Sequence, residues 1–180
     1  MDRCEDMKIK LSPELSYLIG LWRKSRCPEG LGVEGDKEVL EIFTQEVLER
    51  QLTTSDKLLT DGDKVYFYHT AYRKFFQQIE AEELERFKYL NEYAANYLAG
   101  MFDAVGSIDE RGVVSFGYPT KQDEMMLLRL GFQTRRKSER LAIERPVLFL
   151  TFIKNYVRKF KGHKVFEYIR TQDKPAAAKK

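Results

Sequence analysis

The sequence predicts an α+β protein made of two pseudo-symmetric repeats of the αββαββα type. Three observations predict it. Each half begins with a stretch of helical apolar spacing and continues into short alternating segments bounded by turn residues. A short motif around Leu98 recurs around Leu18, 80 positions earlier, which suits one repeat of small-domain size. Finally, 43% apolar and 13% aromatic residues over 180 positions suffice for a substantial core and argue against disorder. The repeats are assigned to residues 1–90 and 91–170, with 171–180 as a polar, disordered tail.

In the first half, Leu15 to Lys24 reads as a helix, with Ser12 as N-cap and Pro13 in the first turn. Leu31 to Glu34 reads as a strand and Lys37 to Gln51 as a helix. Thr53 to Leu59 and Lys64 to Thr70 read as a hairpin across Asp61-Gly62, and Tyr72 to Tyr89 as one long helix. The hairpin after the first helix is short, because Cys27-Pro28-Glu29-Gly30 stands where extended chain is expected.

The second half is clearer. Asn91 to Val105 carries an apolar stripe through Tyr93, Ala94, Tyr97, Leu98, Met101 and Phe102, and Gly106 is expected to end that helix with a positive φ. Ser107 to Asp109 and Val113 to Tyr118 flank the turn Glu110-Arg111-Gly112. Lys121 to Leu130 reads as a helix stopped by Gly131, and Phe132 to Lys137 with Arg140 to Glu144 as a second hairpin. Pro146 opens a last amphipathic helix, expected to reach about Lys161.

Two cysteines, Cys4 and Cys27, give neither a disulfide framework nor a ligand-spaced cluster, and no apolar run is long enough to span a bilayer. Together with the lack of a signal peptide pattern, this leads to the expectation of a soluble cytoplasmic protein. The net charge of +3 hides an asymmetry. Residues 1–90 hold 14 Lys+Arg against 18 Asp+Glu, and residues 91–180 hold 17 against 10. A basic second half is the electrostatic footprint of a nucleic-acid binder.

The stretch Tyr97-Leu98-Ala99-Gly100-Met101-Phe102-Asp103-Ala104-Val105-Gly106 resembles the signature helix of the LAGLIDADG homing endonucleases. Tyr17-Leu18-Ile19-Gly20-Leu21-Trp22-Arg23-Lys24-Ser25-Arg26 is a weaker second copy. The resemblance extends over about residues 12 to 165. It implies that the two signature helices pack at a pseudo-twofold axis through small residues such as Gly20, Ala99 and Gly100. It also implies antiparallel sheets forming a saddle over duplex DNA, in a single-chain monomer. The position of the family's metal-binding acid falls on Val105 in one copy and Ser25 in the other, and neither suits a hard divalent cation. Metal-assisted cleavage is therefore not expected, so no catalytic residue or metal ligand is assigned and no cofactor is implied. If the chain is an endonuclease with displaced ligands, Asp103 and Asp109 are the fallback carboxylates, with Glu29 or Glu34 as partners and Mg as cofactor.

Nucleic acid is the expected partner, with duplex DNA before structured RNA, since the family also includes intron-splicing maturases. The resemblance puts the end of the first signature helix over a scissile phosphate, where Arg23, Lys24 and Arg26 are expected to neutralise charge directly. The hairpin Phe132 to Arg140 is the densest basic segment. Alternation places Gln133, Arg135 and Lys137 on one face and Thr134 and Arg136 on the other, and Arg140 completes the set. Arg111 and Lys121 flank the other hairpin. Tyr66, Phe67 and Tyr68 read either as a base-stacking platform or as core plus rim. His69 and His163 have no spaced partner for a metal or a triad. A third reading is a protein-interaction module, in which Glu80, Glu82, Glu83 and Glu85 meet a basic partner.

Overall fold

The structure is a computed structural model that describes residues 8–172. Of the tail expected at 171–180, residues 171 and 172 belong to the last helix, and 173–180, like Cys4, lie outside the described residues.

Chain order in the first half is α1 (Pro13–Ser25), β1 (Leu31–Glu34), α2 (Lys37–Glu49), β2 (Leu59–Asp61), β3 (Lys64–Phe67), α3 (Thr70–Ala81) and α4 (Glu83–Arg86). The second half follows with α5 (Glu92–Val105), β4 (Gly106–Ile108), β5 (Val114–Gly117), α6 (Lys121–Arg129), β6 (Thr134–Lys137), β7 (Arg140–Ile143), α7 (Pro146–Ile153) and α8 (Lys164–Gln172). Local chemistry sets the starts. Ser12, Asp36 and Asn91 each accept a hydrogen bond from the third residue on (Leu15 N, Val39 N and Ala94 N), capping α1, α2 and α5. Thr120 and Asp123 form a reciprocal capping box on α6.

Both sheets are antiparallel, in the orders β1-β3-β2 and β4-β5-β7-β6. Strands β1, β3 and β2 take the places that β5, β7 and β6 take in the second sheet. The place of β4 is held in the first sheet by a single bridge between Arg26 and Val33. The chain cannot extend that pairing, because Pro28 lacks an N–H and Gly30 turns the backbone at φ +50°. The pseudo-symmetry is thus complete in order and truncated in one hairpin.

Helices α1 and α5 pack against each other at backbone contact. A Cβ on Gly20 would lie 2.2 Å from the Tyr97 carbonyl oxygen, and one on Gly100 would lie 2.1 Å from that of Tyr17. Around this pair the apolar residues of both halves merge into one core. Phe102 sits in it with its ring centroid 5.6 Å from that of Phe116 and 4.8 Å from that of Phe160. No helix among the described residues is long and apolar enough to cross a membrane.

Four expectations are corrected. Only Leu59–Asp61 pairs in the strand expected from Thr53, because Ser55–Lys57 closes into a 3₁₀ turn. The helix expected from Tyr72 to Tyr89 breaks at Glu82, and the short α4 turns Glu83 inward. The last helix stops at Ile153 instead of Lys161, because the backbone N–H groups of Arg158 and Phe160 bond to Asp103, and the unexpected α8 then buries Phe166 and Ile169. Gly106 does not take a positive φ: at φ −75° and ψ 158° it begins β4. Glycine fits there because a Cβ would lie 2.3 Å from the Phe102 ring.

Candidate nucleic-acid interface

At the C-terminal end of α1, Arg23 and Lys24 meet two carboxylates from other elements. Arg23 pairs with Glu83 of α4 at 2.7 Å and with Asp123 of α6 at 2.8 Å, and Lys24 pairs with Asp123. Tyr97 donates its hydroxyl hydrogen to Glu83. The Arg23 and Lys24 side chains are only 8% and 6% exposed. Burial by itself would raise Asp123, but the Arg23 and Lys24 charges hold its carboxyl below the usual range. Burial raises Glu83, against the pull of Arg23 and the Tyr97 hydrogen bond, and lowers Lys24, against Asp123. Two cations and two anions make a neutral cluster. The charge of Arg23 and Lys24, expected to face phosphates, is matched by carboxylates of the protein itself. Arg26 is more exposed, but it pairs with Glu80 and lies 4.2 Å over the Trp22 ring. Glu83 is fully buried, which removes it from the acidic surface expected to meet a protein partner.

The two positions where the resemblance puts the family's metal-binding acid, Ser25 and Val105, carry no carboxylate. The Ser25 hydroxyl donates to the Leu21 carbonyl of its own helix, and Val105 offers only a backbone carbonyl, which accepts from Arg140 Nη2 at 3.1 Å. Among the described residues there is no group of three or more His, Cys, Asp or Glu able to hold a metal.

Asp103 and Asp109, the fallback carboxylates, both accept hydrogen bonds from the backbone. Asp103 is buried, accepts from the Tyr17 hydroxyl at 2.5 Å and from Arg158 N at 2.7 Å, and so fixes the chain after α7. Asp109 accepts from Arg111 N and Val113 N and closes the β4–β5 turn. Burial pushes Asp103 from 3.8 up to about 6, despite the hydrogen bonds that favour its ionised form. A carboxyl raised on folding contributes stability that is complete below 3.8 and lost as pH rises through about 6. Wild-type protein is therefore expected to gain about 1 kcal/mol from this group between pH 7 and pH 5. Asp103→Asn should lack that gain in urea unfolding. Equal pH dependence in the two proteins would refute the assignment.

The open faces of the two sheets differ in chemistry. Cross-strand pairing puts Arg135 beside Ala142 and Ser115, and Lys137 beside Arg140 and Gly117. Leu141 and Phe116, on the opposite face, point into the core. One side of the second sheet therefore carries Arg135, Lys137, Arg140 and small residues. Arg140 lies across that face, donating Nε to Ser115 Oγ at 2.8 Å. Arg136 pairs in register with buried Leu141 and forms an ion pair with Glu124 of α6, which puts it on the other side of the strand from Arg135 and Lys137. The corresponding face of the first sheet carries Leu59, Tyr66 and Gly32 with Lys64, Glu34 and Asp61. Lys64 is paired with Glu29. That face is aromatic and acidic.

Arg111 and Lys121 are exposed at the β4–β5 turn and the start of α6. Gln133 precedes β6 and lines a hollow with Met125 and Leu128 of α6. Phe67 is core, Tyr66 half-buried and Tyr68 exposed. The His69 and His163 rings accept backbone hydrogen bonds from Tyr72 and Val165, which makes both structural. Sequence reading missed Asp123, although Thr120 and Asp123 show a capping-box spacing. It also missed Arg158, which covers the Tyr17 ring at 4.3 Å and pairs with buried Glu46.

No protein-family model matches the sequence, and no curated protein matches it. Solved structures do. Mesophilic variants of the homing endonuclease I-DmoI superpose with a TM-score of 0.54 at 14% identity, over 78% of this chain and 94% of that one. The chain has the fold of a LAGLIDADG homing endonuclease. I-DmoI in complex with DNA and calcium matches with a TM-score of 0.52 at 15% identity, over 79% of this chain and 89% of that one. A glutamate-to-alanine variant of I-DmoI with its target DNA and manganese matches at 0.53 and 12% identity, over 77% and 91%. The LAGLIDADG-like arrangement of two pseudo-symmetric repeats agrees with the sheet orders given above.

Proposed function

We propose that the protein binds nucleic acid, duplex DNA before structured RNA, without cutting it, through repeats 1–90 and 91–170. The observation that carries this reading is that Arg135, Lys137 and Arg140 share one open face of the second sheet, with small residues between them. Duplex backbones need cations on a surface that side chains do not block. Two of the structural neighbours hold DNA, which supports a duplex as ligand. The absence of cutting follows from Val105 and Ser25 at the two helix ends, and no metal is required for binding.

The test is a titration of labelled duplex DNA and folded RNA at several salt concentrations, with and without magnesium, followed by a denaturing gel. Salt-sensitive binding with intact strands is expected, tighter for the duplex. Reversing charge in Arg135→Glu/Lys137→Glu should lower affinity at least tenfold and flatten the salt slope by about 1.8 if two phosphate contacts are lost. Arg136→Glu, on the helix side, should leave that slope unchanged. Discrete magnesium-dependent cuts would replace this reading with the endonuclease one, and no salt-sensitive binding would replace it with a protein-interaction role.

A further inference from the structure

Three clefts on the surface join end to end. The first, about 280 Å³, lies between Tyr68 and the opening turns of α3, where Arg73, Lys74 and Gln77 line it. Gln77 also lines the second, about 480 Å³, which runs over the ion-paired Arg23, Lys24 and Arg26 with Glu80 and Glu83 and reaches Tyr118. Tyr118 also lines the third, about 580 Å³, which ends at Ser138 and Arg140. The route therefore starts beside the first sheet and finishes at the edge of the basic face of the second.

Its two tyrosines are exposed, and the Tyr68 ring is braced by Tyr66. Tyr118 is 84% exposed and sits at φ 49°, a conformation that side chains other than glycine adopt at a cost, while its carbonyl accepts from Lys24 Nζ at 3.2 Å. Tyr68 is 70% exposed, with its ring edge-on to Tyr66 at 5.9 Å. Gly30 leaves room for that ring: a Cβ there would lie 3.1 Å from it. Both rings thus reach solvent, Tyr68 beside Arg73 and Lys74 and Tyr118 in a cleft with the Arg26–Glu80 pair.

We infer that this groove takes a single strand of nucleic acid, continuing from a duplex held on the second sheet. The inference rests on the duplex-binding reading. Paired bases are stacked inside a helix and offer no face to a tyrosine, so a stacking platform selects unpaired nucleotides. Arg73 and Lys74 supply charge for the backbone beside Tyr68, and the Gln77 amide can bond to base edges. Arg140 connects the two surfaces, since it lines the third cleft and lies on the basic sheet face. The preferred ligand is then a duplex with an unpaired tail.

The test compares a blunt DNA duplex with the same duplex carrying a tail of about eight thymidines on the 3′ or the 5′ end, a length within single-strand site sizes. The tail of one polarity is expected to tighten binding about tenfold, the scale of one stacked base. Tyr68→Ala/Tyr118→Ala should return the tailed duplex to blunt affinity and leave the blunt duplex unchanged. Both side chains are exposed, so the fold is not at stake. Arg73→Glu/Lys74→Glu should lower the salt slope of the tailed duplex only. Equal affinities for blunt and tailed duplexes would overturn the groove assignment and leave the duplex reading intact. A tail effect that survives the tyrosine substitutions would also overturn it. Failure of both probes to bind would overturn the duplex reading itself.

Discussion

Gly100→Ala is expected to cost at least about 3 kcal/mol of stability and to lower the melting temperature by roughly 6–12 °C. The added Cβ would meet the Tyr17 carbonyl oxygen at 2.1 Å, Leu21 N at 2.8 Å and the Tyr17 carbonyl carbon at 3.0 Å. All three are backbone atoms of α1, so no rotamer change relieves the overlap and the two central helices must separate. Gly20→Ala should behave alike, since its Cβ would meet the Tyr97 carbonyl oxygen at 2.2 Å. The double variant should cost less than twice either one, because the first substitution already opens the shared interface. Gly162→Ala is the control. Nothing lies within 4 Å of its Cβ position, and removing a glycine from the unfolded chain is neutral or mildly stabilising. Thermal melts of the four variants beside wild type decide the matter: a Gly100→Ala melting point within about 2 °C of wild type would refute backbone contact at this interface.

These two glycines also mark what the sequence makes legible. The motif copies place Gly20 and Gly100 80 positions apart, a spacing that suggests the repeat, while the packing of the helix pair was implied by the family resemblance. Turn chemistry was equally readable at Asp61-Gly62, where Gly62 takes φ +61°, and at Gly112, with φ +79°. Features that depend on a distant partner were not. The end of α7 is set by Asp103, more than fifty residues earlier in the chain, and nothing near Ile153 announces it. The helical pattern from Tyr72 to Tyr89 runs through the break at Glu82, because Glu83 is turned toward Arg23, 60 positions away. The site follows the same rule. Strand parity separated Arg135 and Lys137 from Arg136, since it is a local property. Whether Arg23 and Lys24 face solvent depended on Glu83 and Asp123, and charge composition does not reveal pairing.

Asp123→Ala is expected to cost about 3–5 kcal/mol, the usual penalty for leaving a buried charge without its partner. The carboxylate bonds Arg23 and Lys24 and accepts from the Thr120 backbone N–H at 2.9 Å. Its removal leaves two cations against Glu83 alone, with both side chains nearly out of solvent. Asp123→Asn keeps an oxygen for Thr120 N and loses only the charge, so the difference between the two variants measures the cap, about 1 kcal/mol. Adding Lys24→Met to Asp123→Asn restores neutrality with an apolar stem of similar length. That double variant should recover most of the lost stability in urea unfolding, as buried ion pairs replaced by packed apolar groups commonly do. No recovery would mean that Lys24 is not balanced inside the protein. The same variant tests function from the other side. A lysine already neutralised by Asp123 has no condensed counterion to release from DNA, so Lys24→Met alone should lower stability and leave the salt slope of duplex binding unchanged. A slope reduced by about 0.9 would instead put Lys24 on a phosphate and return the end of α1 to the binding surface.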